Sequence, residues 1–238
     1  MDKINKTETT EVCSVMEREP ISKNRIISRR TSGERYILLA ILLIALFFNS
    51  CAFFKVSMYT VGLAKVETPA NAKIQYGETK IVNIEEEGKS KYRYEDDFIE
   101  ISWFVGSKQF YFDLKNKSNY SIKIPWDEVS YVNEKGTVMR LMHSGVKYID
   151  RNASQPASIV PKNAAISDIL LPTDHIYYVS GEYGGWREKN LFPQYKTQEE
   201  AQYSAIIGKT VRIVFPLIIE NITNEYIFEF VINDVSVK

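Results

Sequence analysis

Two histidines and their polar neighbours are the residues of this 238-residue chain best suited to hydrolytic chemistry. His143-Ser144 and Asp174-His175 supply the nucleophile, base and orienting acid that a serine hydrolase needs. No serine lies in a Gly-x-Ser-x-Gly turn between a strand and a helix, the usual setting of such a nucleophile. We therefore interpret these residues as polar groups at strand edges and in turns. We expect no catalytic site, and a hydrolase built on His143, Asp174 and His175 is the alternative.

Paired carboxylates are a second candidate for catalysis, because glycosidases use two of them. Asp127 and Glu128 are neighbours, and neighbours in a strand point to opposite faces, so the two cannot act on one sugar ring. We interpret Asp96 and Asp97 in the same way, as solvated residues at a strand end. The sequence shows neither the ligand spacing of a metal site nor a glycine-rich phosphate loop, so we expect no metal and no cofactor.

The segment 181–195 carries the strongest signal for a binding site. Its glycines free the backbone, and large flat rings follow them. Aromatic residues and arginine are the usual anchors of protein contacts. The candidate contact residues are Tyr183, Trp186, Arg187, Phe192 and Tyr195. Two interpretations stay open: the rings contact a protein or a glycan, or the segment folds down and buries them over a sheet edge.

Near the start of the chain, a cationic block stands directly before an uncharged apolar one. Residues 23–35 contain Lys23, Arg25, Arg29, Arg30 and Arg35 against Glu34 alone. Residues 36–50 carry no charge, and Cys51 follows them. This order of a basic region, an apolar stretch and a small residue is typical of a secretory signal.

The residues around Cys51 resemble a bacterial lipobox, with Phe48 at −3, Ser50 at −1 and the cysteine at +1. The resemblance implies transfer of a diacylglycerol group to the Cys51 sulfur, cleavage after Ser50 and attachment to membrane lipid. The alternative is an uncleaved anchor, because residues 36–54 are long enough to span a membrane. Positive charge on the N-terminal side would then place residues 55–238 in the periplasm.

The overall charge argues against a nucleic-acid partner. The chain has 30 basic and 30 acidic residues, whereas nucleic-acid affinity comes mainly from neutralising phosphates. Apolar residues make up 45% of the chain, enough for a folded core. We expect a binding or scaffold module, not an enzyme.

Alternation of apolar and polar residues predicts antiparallel strands. Residues 98–105 and 110–114 form one predicted hairpin around Gly106-Ser107, and residues 120–124 form the next strand. A second hairpin joins 126–132 to 137–143, and a third joins 211–219 to 226–232.

One short helix is predicted near 198–207, because Thr197 and Glu200 form a capping box and Gly208 is a natural helix end. The fold class is therefore all-β, an antiparallel β-sandwich with one helix, with a closed barrel as the alternative. The predicted order is a polar leader at 1–35, a signal segment at 36–50, the lipidated cysteine and tether at 51–77, with or without one early strand, and one domain at 78–238.

Three stretches resemble uncharacterised cell-envelope lipoproteins of the Bacteroides type. They are residues 112–118 with 122–128, residues 143–148 with Gln155-Pro156, and residues 184–186. The resemblance covers about 100–235 and implies a lipid-anchored, Ig-like β-rich domain with no assigned catalytic residue. Together with the lipobox it implies an envelope location, which we expect to be the outer membrane facing the periplasm. The implied partners are membrane lipid through Cys51 and an envelope protein or glycan.

Overall fold

The computed structural model describes residues 55–67, 80–86 and 89–238. The predicted leader 1–35, the signal segment 36–50 and Cys51 lie outside the described residues. The described part is mainly β with one short helix, as the sequence predicts.

The strands, numbered in chain order, are β1 (Ser57–Glu67), β2 (Lys80–Glu86), β3 (Lys89–Glu95), β4 (Ile99–Val105), β5 (Phe110–Asn116), β6 (Ile122–Ile124), β7 (Ser130–Val132), β8 (Val138–Met142), β9 (Ser158–Val160), β10 (Ala165–Pro172), β11 (Ile176–Val179), β12 (Gly185–Glu188), β13 (Thr210–Ile219) and β14 (Ile222–Val237). The helix α1 is Gln198–Tyr203, and 3₁₀ turns occupy Trp126–Glu128, Tyr148–Asp150 and Thr173–His175.

The three predicted hairpins are observed as β4–β5, β7–β8 and β13–β14. The predicted strand 126–132 is confirmed only over Ser130–Val132, because Trp126–Glu128 forms a 3₁₀ turn. The Gly106 amide donates to the Gln109 carbonyl at 2.9 Å and closes the first turn. The third turn is tighter than predicted, because Glu220 and Asn221 both take positive φ, at 50° and 64°. A two-residue turn of that kind suits the right-handed twist of the strands.

The main sheet is a nearly closed antiparallel barrel of ten strands, in the order β1-β14-β13-β7-β8-β10-β5-β4-β3-β2. The prediction of a plain sandwich was therefore wrong. Strand β10 joins what would have been two sheets, since 165–170 pair with β5 while Leu171 and Pro172 pair with β8. Local alternation predicts hairpins but not such a change of partner within one strand.

Strand β1 shows that the folded domain begins ahead of the predicted boundary at residue 78. It pairs with β14 along nearly its whole length, from Ser57 opposite Val237 to Glu67 opposite Ile227. A Cβ on Gly62 would lie 2.8 Å from Asn233 Nδ2 and 3.3 Å from the hydroxyl of Tyr92 in β3. Residues 57–67, placed in the predicted tether, are thus part of the barrel wall.

Aromatic residues fill the barrel interior. Trp103 of β4 is fully buried, and its ring centroid lies 5.0 Å from that of Phe228 and 5.4 Å from that of Phe112. The inward residues of β5 alternate strictly with exposed ones, the period that a half-buried strand requires. This interior is a packed core.

Helix α1 is shorter than the predicted 198–207. Its capping residue is confirmed, because the Thr197 hydroxyl accepts from the Glu200 amide at 3.1 Å. The Glu200 carboxylate accepts from the Lys196 amide at 2.9 Å, one residue before the expected donor. Ala205 takes a φ of 52°, outside the helical range, so the helix stops before it.

Asp96 corrects the prediction of a solvated strand end. It is only 2% exposed. One carboxylate oxygen accepts from the amides of Phe98 and Ile99 at 2.8 Å, and the other accepts from the hydroxyls of Tyr94 and Tyr226 at 3.1 and 2.9 Å. The side chain thereby fastens the β3–β4 turn to β14 across the barrel.

Candidate functional site

The segment predicted to bind divides into two parts, and the first forms a hairpin outside the barrel. Among the described strands, β11 and β12 pair only with each other, with Tyr177 opposite Arg187 and Tyr178 opposite Trp186. Tyr177, Tyr178 and Tyr183 are 42%, 61% and 86% exposed. We call residues 176–188 the aromatic hairpin.

The turn of the aromatic hairpin depends on glycine. The Gly184 amide donates to the Gly181 carbonyl at 2.9 Å. A Cβ on Gly184 would lie 2.5 Å from the Val179 carbonyl oxygen, a distance that no side chain tolerates. The Arg187 guanidinium donates to the carbonyls of Tyr183 and Trp186, at 3.1 Å each, and fixes the tip of the turn.

Trp186 fixes the base of the aromatic hairpin. Its ring lies edge-on to Tyr178 and Tyr148, with centroids 5.4 and 6.2 Å away, and the Arg151 guanidinium lies 5.1 Å from its centroid. Ring–ring and cation–ring contacts of this kind favour particular orientations, and they stabilise the hairpin base beyond the burial of apolar surface. Trp186 belongs to a small core around Met142, separate from the barrel interior.

Glu188 completes the base. Its carboxylate accepts a hydrogen bond from the Tyr148 hydroxyl and lies 3.4 Å from the Lys108 ammonium. The hydrogen bond to Glu188 and burial raise the pKa of Tyr148 to about 12. Tyr148 therefore stays protonated and remains a donor at physiological pH.

The second part of the segment, residues 191–195, lies against the barrel. Phe192 is 4% exposed, and its ring centroid is 4.8 Å from that of Tyr59 in β1. The Tyr59 hydroxyl donates to the Pro193 carbonyl at 2.6 Å, and the Tyr195 amide donates to Ser57 Oγ at 2.8 Å. Here the alternative of buried rings applies. In the aromatic hairpin the ring of Trp186 is packed in the small core, whereas the three tyrosine rings are exposed.

His143 pairs with an acid that the sequence analysis does not name. Its Nδ1 lies 3.2 Å from Asp168 Oδ2, and Asp168 Oδ1 accepts from the Ser144 amide at 2.9 Å. The imidazole also stacks on Trp126, with centroids 4.4 Å apart and planes at 11°. The Asp168 carboxylate thus connects the loop after β8 to β10. The two strands themselves pair only through Leu171 with Met142 and Pro172 with Leu141 in the described part of the chain.

Asp174 and His175 lie in a 3₁₀ turn before β11, and in the described part of the chain neither forms a hydrogen bond with His143. Burial lowers the pKa of His175, and Lys189 adds to the effect, while Asp174 opposes it. The structure therefore does not assemble the three residues of the hydrolase alternative through hydrogen bonds in the described part of the chain.

Asp127 organises the loop between β8 and β9. Its carboxylate pairs with the Arg140 guanidinium and accepts from the Ser154 hydroxyl and from the Gln155 amide, the last at 3.1 Å. The Gln155 side chain donates to the Leu141 carbonyl at 2.7 Å. These contacts hold the loop on which the base of the aromatic hairpin rests, so the role of Asp127 is structural.

Sequence reasoning missed Tyr177, Tyr178 and Tyr148. A signal for the first two was present, because Ile176–Val179 is a β-prone run that directly precedes the glycine-rich turn. The contact of Tyr148 with Trp186 joins distant parts of the chain and has no local signal.

Within residues 55–67, 80–86 and 89–238, no group of three or more His, Cys, Asp or Glu side chains is arranged to hold a metal ion. In the same part of the chain, no helix has the length and apolarity to cross a membrane.

Comparisons with protein-family models, curated proteins and solved structures find no match for the chain. The resemblance to envelope lipoproteins therefore stays a prediction from the sequence.

Proposed function

We propose that this protein is a lipid-anchored binding module of the cell envelope and that the aromatic hairpin contacts a partner protein. The observation that carries the proposal is the exposure of three tyrosine rings on a hairpin whose base is fixed by Trp186 and Glu188.

Rigid support makes exposed tyrosines effective contacts. A tyrosine offers a large amphipathic surface and has few side-chain torsions to immobilise on binding. The backbone of the aromatic hairpin is fixed by its own ladder and by Arg187, so little ordering remains to be done by the partner. Val179, 39% exposed, adds apolar area to the same hairpin.

The anchor follows from the sequence pattern around Cys51. Strand β1 begins at Ser57, so the extended chain between Cys51 and the barrel spans at most about 20 Å. A lipid on Cys51 would hold the barrel close to the membrane, and we propose the outer membrane, facing the periplasm. An inner-membrane anchor at residues 36–54 is the competing proposal.

Purification from detergent-solubilised membranes tests the contact surface. The double variant Tyr178→Ala/Tyr183→Ala should lose a partner that the unmodified protein retains. Tyr203→Ala is the matched control, because Tyr203 is 86% exposed on α1, as Tyr183 is on the aromatic hairpin. Equal partner recovery with both variants would contradict the proposed surface.

Labelling cells with a fatty-acid analogue tests the anchor. The protein should take up the label, and Cys51→Ala should abolish uptake and leave the apolar segment uncleaved. Membrane association of Cys51→Ala without any label in the unmodified protein would favour the uncleaved anchor.

A glycan stacked on Tyr183, Trp186 and Tyr195 is the second hypothesis from the sequence. The geometry gives it less support, because Tyr195 packs beside β1 while Trp186 packs in the separate small core. The three rings do not share one platform.

A further inference from the structure

The outer face of the barrel carries two neighbouring rows of side chains across β3, β4, β5 and β10. One row is polar and runs from Ser102 through Asp113 to Ser167, which are directly paired across their strands. The next row is largely aromatic and runs from Phe104 through Tyr111 to Ile169. Residues two apart on a strand are separated by about 7 Å, so the rows lie side by side.

A groove of about 480 Å³ lies along these rows. Its lining includes Ser102, Phe104, Tyr111, Asp113, Ser144 and Ser167. The volume is in the range of pockets that hold small ligands. We call it the outer groove.

Three hydroxyls and one carboxylate of the outer groove have no partner within the described part of the chain. The hydroxyls of Ser102, Ser144 and Ser167 and the carboxylate of Asp113 make no hydrogen bond or ion pair there. Asp113 stands between two small serines, so its carboxylate is open from both sides. These hydroxyl and carboxylate groups are therefore available to hydrogen-bond with solvent or with a ligand in the groove.

The rings beside this polar row form a platform. Phe104 and Tyr111 lie 5.5 Å apart, centroid to centroid, with an angle of 38° between their planes, and Tyr111 is 41% exposed. A ring face is negative, and it attracts the weakly positive hydrogens of a C–H face.

We propose that the outer groove binds a pyranose saccharide. The apolar C–H face of the sugar lies on Tyr111 and Phe104, and its hydroxyl groups donate to Asp113 and exchange hydrogen bonds with Ser102 and Ser167. A pyranose ring is apolar on its faces and polar around its edge. The aromatic row of the groove complements the apolar face, and the row of hydroxyls with one carboxylate complements the polar edge.

The charges of the outer groove favour a neutral or amino sugar over a phosphorylated ligand. Among the described residues of the lining, Lys91 alone is basic, and two residues, Asp113 and Asp168, are acidic. Phosphate sites instead gather several cations or a set of backbone amides. This proposal does not depend on the aromatic hairpin.

Saturation-transfer difference NMR with the full chain in detergent tests the proposal. The probes are maltotriose, cellotriose and tri-N-acetylchitotriose, each presented separately. We expect transfer to the ring C–H protons of at least one probe, with a Kd of about 1 mM for a site this open. Tyr111→Ala and Asp113→Ala should each weaken binding by about tenfold or more, and Tyr111→Phe should keep it.

Two results would overturn the proposal. One is no transfer to any of the three probes from a folded protein. The other is transfer that persists in both Tyr111→Ala and Asp113→Ala, which would place a sugar elsewhere. Loss of transfer only in Tyr178→Ala would likewise reject the outer groove and assign the sugar to the aromatic hairpin. Tyr203→Ala serves as the surface control, and circular dichroism verifies that each variant is folded.

Discussion

The fold changes the acid–base chemistry of Asp96, a buried carboxylate at the β3–β4 turn. Burial raises its pKa above the ordinary value of 3.8, although four hydrogen bonds to the carboxylate oppose the shift. Desolvation therefore exceeds the stabilisation that the donors provide to the charged form. A carboxylate in this position makes stability depend on pH in the opposite direction to a surface ion pair.

We predict that Asp96→Asn removes this pH dependence. Because the folded pKa is raised, the contribution of Asp96 is full below pH 3.8 and is lost as pH rises through the folded pKa. The free energy of unfolding of the unmodified protein, minus that of Asp96→Asn, should thus fall over that range and then stay level. The lowered pKa values of Glu95 and Asp127 act in the opposite sense but are common to both proteins. Denaturant unfolding at several pH values measures the difference, and parallel curves would contradict the assignment.

Tyr226→Phe isolates one of the donors to Asp96. The hydroxyl of Tyr226 is buried, and its loss leaves the carboxylate one hydrogen bond short. We expect a cost of about 1.5–3 kcal/mol in unfolding free energy at neutral pH, the range for hydrogen bonds to charged groups. Tyr120→Phe is the control, because the Tyr120 hydroxyl also bonds a carboxylate, that of Glu220, but at the exposed surface. Its loss should change stability by less than about 0.5 kcal/mol.

Individual residues show where sequence reasoning stops. The capping role of Thr197 is local and was predicted from the spacing to Glu200. The pairing of His143 with Asp168 was not, although a carboxylate between Ile166 and Leu170, in the apolar row of β10, is a visible irregularity. A charge in an apolar row requires a partner, but alternation alone does not identify which residue provides it.

At the scale of elements, the aromatic hairpin is a separate unit attached to the barrel through its base. Its two strands pair only with each other, and its small core is distinct from the barrel interior. The turn at 180–184 depends on Gly184, whose Cβ position is blocked by backbone oxygens. Local opening of this unit should therefore occur without unfolding the barrel.

We predict that Gly184→Ala loosens the aromatic hairpin. Displacement of the turn should cost about 1–3 kcal/mol of local strain. Amide hydrogens of residues 176–188 should exchange about tenfold faster or more, whereas those of β13 and β14 should keep their rates. Hydrogen exchange followed by mass spectrometry measures this, with Ser180→Ala as the matched control. Unchanged exchange in the hairpin would show that the turn adapts to the methyl group.

The elements that the sequence predicts are those with local pairing. Hairpins β4–β5, β7–β8 and β13–β14 follow from alternation and turn residues. Strand β1 pairs with β14 across most of the chain, and β10 changes partner within its length, so neither could be placed from local patterns. The closure of the barrel depends on these two distant pairings.

At the scale of the whole molecule, the segment after the aromatic hairpin closes one side of the barrel. Phe192 packs on Tyr59, and the side chain of Gln194 accepts from the Ser57 amide at 3.1 Å. Farther on, Gln198 donates to the Val235 carbonyl and accepts from the Val237 amide. The same connection therefore presents exposed rings at one end and strengthens the barrel at the other.

We predict opposite outcomes for two residues that the sequence analysis groups together. Phe192→Ala should lower the free energy of unfolding by about 3–5 kcal/mol, because it empties a buried ring position. Tyr183→Ala should change it by less than about 0.5 kcal/mol, as a surface substitution. Urea denaturation compares them, and equal costs would contradict the division of 181–195 into a contact surface and a structural closure.

Photo-crosslinking in intact cells tests the central claim most directly. A photoreactive amino acid placed at Tyr178, and separately at Tyr183, reports what lies against the aromatic hairpin, while the same substitution at Tyr203 reports the background. The account predicts one discrete protein adduct shared by positions 178 and 183 and missing at 203. No adduct at 178 and 183 in cells that express the protein normally, or the same adducts at all three positions, would contradict it.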